Sequence, residues 1–296
     1  MDASAKFSTF AATFPTILSS TWSGNEKGYF PIAIAATIHA VKVSYMTRKI
    51  LQLGGRRHLA SEFLLQLVYG FGGAIIARLA LGLPQPWIES NSALPLQALT
   101  FLLLTNLPGD ILFSLMDYIS PLSDVILATA DGLITGYGIT SGGVDLVKYT
   151  MSNEKVSKSI VAMLFVGTVM GCGGGSLGNL FMLKENSTKK SISLSNLPFF
   201  EIKLSAFLTL FYISTTRLWT FTEYAPNFVF SPILDKFIDS IVVPLSANES
   251  KMVVATAYGS IMGFKAYSNA LVYKTAIAKV KAAKVNKTTS KSKKDQ

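Results

Sequence analysis

Residues 159–183 read Ser-Ile-Val-Ala-Met-Leu-Phe-Val-Gly-Thr-Val-Met-Gly-Cys-Gly-Gly-Gly-Ser-Leu-Gly-Asn-Leu-Phe-Met-Leu, without one charged side chain. A run of that length and character spans the roughly 30 Å of bilayer hydrocarbon as a helix, which needs about 20 apolar residues. Helix is the only choice for an isolated span, because an open strand edge leaves backbone groups unsatisfied in lipid. Ser61–Leu83 is a second such run, and it carries Gly70-Phe71-Gly72-Gly73 near its middle. Five further apolar stretches follow the same logic: Tyr29–Tyr45, Ala93–Met116, Pro121–Val147, Phe199–Phe221 and Met252–Tyr273. Gly54-Gly55, Pro84-Gln85-Pro86, Ser120-Pro121 and Asn153-Glu154-Lys155 punctuate them, and Pro108 predicts a kink inside the third.

Composition agrees with a membrane protein. The 296 residues are 50% hydrophobic but only 15% charged, where soluble domains carry about 25%. The net charge of +10 is concentrated in the tail, where Lys274–Gln296 holds eight lysines and one acid. What is left elsewhere is too little for a nucleic-acid face. The single Cys172 excludes an intrachain disulfide framework, and two histidines, His39 and His58, argue against a metal cluster; no cofactor is expected.

The fold class predicted is an all-α integral membrane protein of seven transmembrane helices. Residues 1–28, rich in Ser, Thr and Phe with Pro15 breaking the apolar run, read as a short surface-lying or disordered leader without signal-peptide character. Residues 29–273 form the membrane domain and 274–296 a basic tail. Seven spans put the termini on opposite sides. Fifteen Lys and Arg then fall on the tail's side and seven on the other, which places the C-terminus in the cytosol. Lys293-Lys294-Asp295-Gln296 resembles the dilysine signal of endoplasmic reticulum residents. The alternative is a tail drawn to anionic lipid heads. The segment Thr222–Lys251, whose apolar positions from Phe228 to Ile241 fall at helical spacing, is read as an amphipathic helix on the non-cytosolic face. The sequon Asn248-Glu249-Ser250 lies on that side, too close to the last span for modification.

Glycine placement suggests where function resides. If the chain is an inverted 3+3 repeat plus a seventh helix, the glycine-rich second and fifth stretches are the second helix of each half. Their clusters would then face each other at the midplane, as in a permeation or binding site. Gly70, Gly72, Gly73, Gly171, Gly173 and Gly174 are the candidate pore and hinge residues. The same spacings, such as Gly167/Gly171 and Gly259/Gly263, also serve plain close packing, and both readings stand.

Charges inside the spans are the second signal, since each costs about 2.5–3.5 kcal/mol at the bilayer centre unless it faces protein or water. Arg78, Asp110, Asp131, Arg217 and Lys265 lie deep; Lys42, Glu62, Asp124, Asp145 and Lys203 lie near enough to the ends to snorkel. An enzyme is not expected. Gly174-Gly175-Ser176-Leu177-Gly178 has the G-x-S-x-G spacing but sits in a membrane helix, not at a strand-to-helix turn. No histidine follows His58 to serve as its base.

Several local sequences resemble TRIC, the trimeric intracellular cation channels. They are His58-Leu59-Ala60 leading into Gly70-Phe71-Gly72, Leu81-Gly82-Leu83-Pro84, Pro108-Gly109-Asp110, Gly167–Asn179, Thr216-Arg217 and Gly263-Phe264-Lys265. The resemblance implies a homotrimer with a water-filled pore in each subunit, lined around the two glycine-rich helices. It would pass potassium and sodium ions as counter-charge when calcium leaves the endoplasmic reticulum. Asp131, Lys265, Arg78 and Arg217 become charge-setting candidates, and membrane lipids the other partners. Animal members carry a Lys-Glu-Val run and an arginine in the fourth span, tied to phosphoinositide binding. Here that place reads Ala130-Asp131-Gly132-Leu133-Ile134, so the lipid site is not carried over. On the hinge reading, leucine at Gly72 or Gly173 removes conductance and leaves the trimer intact. A secondary transporter on the same repeat is the alternative, and a structural role in the membrane the third.

Overall fold

The computed structural model describes residues 3–21, 32–54, 58–186, 198–220 and 230–292. Lys27, Gly55, Arg56, Arg57, Ser187–Lys190, Phe221, Phe228 and the Lys293-Lys294 pair lie outside them. Apart from turns and an isolated bridge between Thr21 and Ala33, the described residues are helical. The helices are α1 (Ala3–Ser19), α2 (Ile34–Gly54), α3 (Leu59–Leu81), the single turn α4 (Pro86–Glu89), α5 (Ala93–Thr105), α6 (Ile111–Tyr118) and α7 (Leu122–Tyr137). Then come the turn α8 (Glu154–Ser157), α9 (Ile160–Asn186), α10 (Phe199–Thr215), α11 (Ser231–Ile241) and α12 (Ala247–Ser292).

By length and composition α3 and Ile160–Leu180 of α9 can each cross a membrane, and α5 with α6 makes a third span if the bent pair counts as one. Their bend of 81° falls at Pro108-Gly109-Asp110, where Gly109 and Asp110 both have positive φ. This is the kink that Pro108 predicts, sharpened by a glycine that enters the left-handed region without strain. Seven spans do not follow from apolarity alone. Helix α2 carries His39, Lys42, Arg48 and Lys49, and α10 has 17 residues before it ends ahead of Arg217 at φ 55°.

One element differs from the sequence reading, and three others gain detail. Pro121–Val147 is not one α-helix: past Tyr137 the chain widens into π-helical turns over Gly138–Val144 and Leu146–Thr150. A Cβ at Gly143 would lie 2.7 Å from Gly167 Cα, so the widened turn seats its backbone directly on α9. The leader is ordered as α1 through Pro15, lying on the surface with Ala11 and Phe14 packed on Met252 and Ala255 of α12. The expected basic tail continues α12, with helical backbone to Ser292. Finally α11 begins at Ser231, with part of the expected amphipathic segment outside the described residues.

The start of α12 is fixed by a capping box. Ser246 N–H donates to Glu249 Oε2 at 3.0 Å, and Glu249 N–H reaches back to Ser246 Oγ at 3.4 Å. Hydrogen bonds from the Ser8 hydroxyl and then from Ser246 hold the Glu249 carboxyl below the usual carboxylate range. Within the sequon, Ser250 is buried, its hydroxyl 2.7 Å from that of Thr215.

The largest packed cluster lies where the π-helical turns, α9, α10 and α12 meet, around Ile139, Val144, Met163, Val166, Tyr212 and Val254. Lipid tails give no hydrophobic drive between helices, so such contacts depend on close backbone approach. Helices α7 and α12 achieve it through Gly132 and Gly136. A Cβ on either would sit 2.6 Å from the Cα of Gly259 or Ala255.

Candidate functional site

The two glycine clusters meet. Gly72 and Gly73 of α3 lie against Gly173 and Gly174 of α9, where a Cβ on Gly173 would be 2.6 Å from Gly73 Cα. One on Gly73 would be 2.6 Å from Val169 O. Both helices run unbroken through this crossing, and these glycines bring the two continuous helices into backbone contact. The physical reason is that a helix losing side-chain bulk on one face gains a close neighbour there, and its hydrogen-bonded ladder stays whole.

Beside the crossing opens a cavity of about 380 Å³. Gly70, Gly73, Gly171 and Gly174 line it, whereas Gly72 and Gly173 are used up in the crossing itself. Asp131 of α7 stands in its wall, 7% exposed, with two basic side chains of α2 upon it. His39 Nδ1 is 2.5 Å from Asp131 Oδ1, and Lys42 Nζ is 2.9 Å from Oδ2. His39 Nε2 lies 3.0 Å from the Gly70 carbonyl. A carbonyl oxygen only accepts, so Nε2 carries a proton, and the imidazole ties α2 to both α3 and α7. Tyr258 of α12 donates to the Gly171 carbonyl at 2.8 Å, closing the ring of helices around the cavity.

A second cavity, about 240 Å³, adjoins the first and shares Lys42, Met46, Ala128, Glu201 and Met262 with it. Lys265 lines this one. Its ammonium pairs with Glu201 and lies 4.9 Å from the centroid of the Phe200 ring. At the far end of the cavity Lys49 Nζ bonds both oxygens of Asp124, at 2.7 and 2.8 Å. The same ammonium lies over the rings of Tyr45 and Tyr273, at 4.7 and 4.6 Å. Arg48, 5% exposed, pairs with Asp110 at 2.5 Å. Arg48 and Lys49 thus serve as buried structural cations.

The other two charge-setting candidates, Arg78 and Arg217, lie away from these two cavities. Arg78 closes the end of α3, bonding the Pro84 carbonyl at 2.6 Å and Glu89 at 2.7 Å. Arg217 pairs with Asp239 and bonds the Val242 carbonyl at 3.3 Å. It lines a larger cavity, about 450 Å³, between α10, the start of α9 and α11, away from Asp131. Each arginine sits where its helix ends, which a hydropathy window that overruns the last turn cannot show.

The sequence reading passed over two residues of the site. Lys42 was assigned to snorkelling, although it lies three positions from His39 and so on the same helix face. Glu201 is the only acid in Phe199–Phe221 and hence the natural partner for Lys265 from that stretch.

Two solved structures share this arrangement of helices. One is a trimeric intracellular cation channel from C. elegans with bound Ca2+. It is 16% identical over 88% of this chain and 96% of its own, with a TM-score of 0.56. The other is a TRIC counter-ion channel structure concerned with activity in calcium release. It is 14% identical over 80% of this chain and 93% of its own, with a TM-score of 0.57. The chain has the TRIC fold. No family model and no curated protein matches its sequence, so at this identity the likeness is one of fold. In this version of the TRIC fold, the fourth apolar stretch supplies the acid Asp131, and the cations that face it come from α2.

Proposed function

We propose that the protein is a monovalent cation channel, conducting potassium and sodium ions through the two adjoining cavities of each subunit. The observation that supports this best is the pair of cavities itself. They adjoin between α2, α3, α7, α9, α10 and α12 and bear Asp131, Glu201, Lys42 and Lys265 on their walls. Ionised groups held at such depth normally mark an aqueous path, and selectivity then rests on width and wall charge. On this reading α2, α3, α5–α6, α7 with its π-helical continuation, α9, α10 and α12 are seven spans, and the first six form the inverted repeat. The glycine crossing joins the second helix of each half. The reading extends to a homotrimer of the endoplasmic reticulum membrane with a cytosolic C-terminus, supplying counter-charge during calcium release and catalysing no reaction.

The purified full-length protein in a planar bilayer under a potassium chloride gradient is expected to give unitary currents reversing near the potassium potential. Obligatory exchange with saturation and no unitary steps would favour the transporter alternative. The absence of any flux from folded protein would leave a structural role.

A further inference from the structure

The two cavities share five residues, of which only Lys42 and Glu201 carry charge. Anything moving between the cavities passes these two. Lys42 is already compensated, with its ammonium 2.9 Å from Asp131. Asp131 in turn faces both His39 and Lys42, and Asp124 at the far end has both oxygens on Lys49. Glu201 differs in kind. It stands in the first turn of α10, where the helix dipole favours an anion, and its ion-pair partner among the described residues is Lys265. The Glu201 side chain is 20% exposed and that of Lys265 30%, against 7% for Asp131. The Glu201–Lys265 pair is therefore the more open of the two.

Resting on the channel reading, we propose that Glu201 is the residue that sets cation over anion preference, with Lys265 as its tethered counter-ion. A cation arriving at the junction takes the place of the Lys265 ammonium on the carboxylate. That exchange keeps the carboxylate compensated throughout, while the entering ion adds one positive charge to the junction for as long as it is bound. The displaced ammonium stays on the wall of the second cavity, near Phe200, and returns when the ion leaves. Binding is then strong enough to admit the ion and weak enough to release it, as conduction requires. An anion finds no such exchange, because the cationic Lys42 is held by Asp131.

The test is bilayer recording of the full-length protein under a potassium chloride gradient. Glu201→Gln leaves Lys265 uncompensated and is expected to shift the reversal potential from the potassium side across zero toward chloride. Lys265→Gln is expected to keep the reversal potential of the wild type and raise unitary conductance. The double variant Glu201→Gln/Lys265→Gln restores local neutrality, so it protects the fold, and it is expected to reverse near zero. Currents from Glu201→Gln or the double variant that still reverse at the potassium potential would overturn the proposal while leaving the channel reading in place. Unchanged or lower conductance in Lys265→Gln would overturn it equally. A silent wild type overturns both readings together.

Discussion

Asp131→Ala is expected to destabilise the folded protein by about 3–5 kcal/mol, the typical loss when one partner of a buried ion pair is removed. The variant leaves the Lys42 ammonium and the His39 imidazole beside each other in the cavity wall with no anion between them. It also loosens α2 from α7, since both contacts run through the one carboxylate. The effect comes from stranded charge more than from lost attraction. Replacing all three groups by apolar side chains of similar volume, as in His39→Leu/Lys42→Met/Asp131→Leu, is therefore expected to recover most of the stability. Thermal unfolding in detergent measures both. A single variant as stable as wild type, or a triple variant no better than the single, would show that the cluster does not behave as one compensated unit.

The second large effect is at the helix crossing. Gly173→Leu puts its first side-chain carbon 2.6 Å from Gly73 Cα and 3.0 Å from Gly73 N. Those are backbone atoms of a continuous helix, so no rotamer change relieves the clash, and α3 and α9 must separate. Ordinary overpacking of a core costs about 1–3 kcal/mol, and a contact with backbone on both sides belongs at or above the top of that range. Gly175→Ala on the same helix meets nothing nearer than Pro198 Cγ at 3.7 Å. It is expected to be tolerated, with a small gain in helix propensity. Gel filtration with thermal unfolding separates the two outcomes. Gly173→Leu is thus expected to lose current and assembly together, where a hinge would lose current alone. A stable, assembled and silent Gly173→Leu protein would restore the hinge.

The two clearest spans were legible because long apolar runs such as Ser159–Leu183 have one physical solution in lipid, and the glycine clusters near the middle of these two runs do meet. The break in α7 was not legible. Gly142 and Gly143 permit a widened turn, but only the seat that Gly143 finds on Gly167 selects it. Nor was α1, because Pro15 argues against a helix until the packing of Phe14 on Tyr137 and Met252 is known. Within the site, Asp131 could be picked out by depth alone. Its partners could not, because His39 and Lys42 are some ninety residues away in sequence. The places of Arg78 and Arg217 were not legible for the opposite reason: each falls inside an apolar window yet sits at a helix end with its own partner.

The central claim is that ions pass through the cavity beside the glycine crossing, and chemical block from inside that cavity tests it most directly. Gly175 lines the cavity and has room for a side chain, whereas Leu64 on α3 points outward, 62% exposed. In a Cys172→Ser background, which removes the only native thiol, Gly175→Cys and Leu64→Cys are treated with a positively charged methanethiosulfonate during bilayer recording. Irreversible loss of current in Gly175→Cys, with Leu64→Cys unaffected, is the predicted result. Full current through a Gly175→Cys protein shown by mass to be labelled would contradict the account.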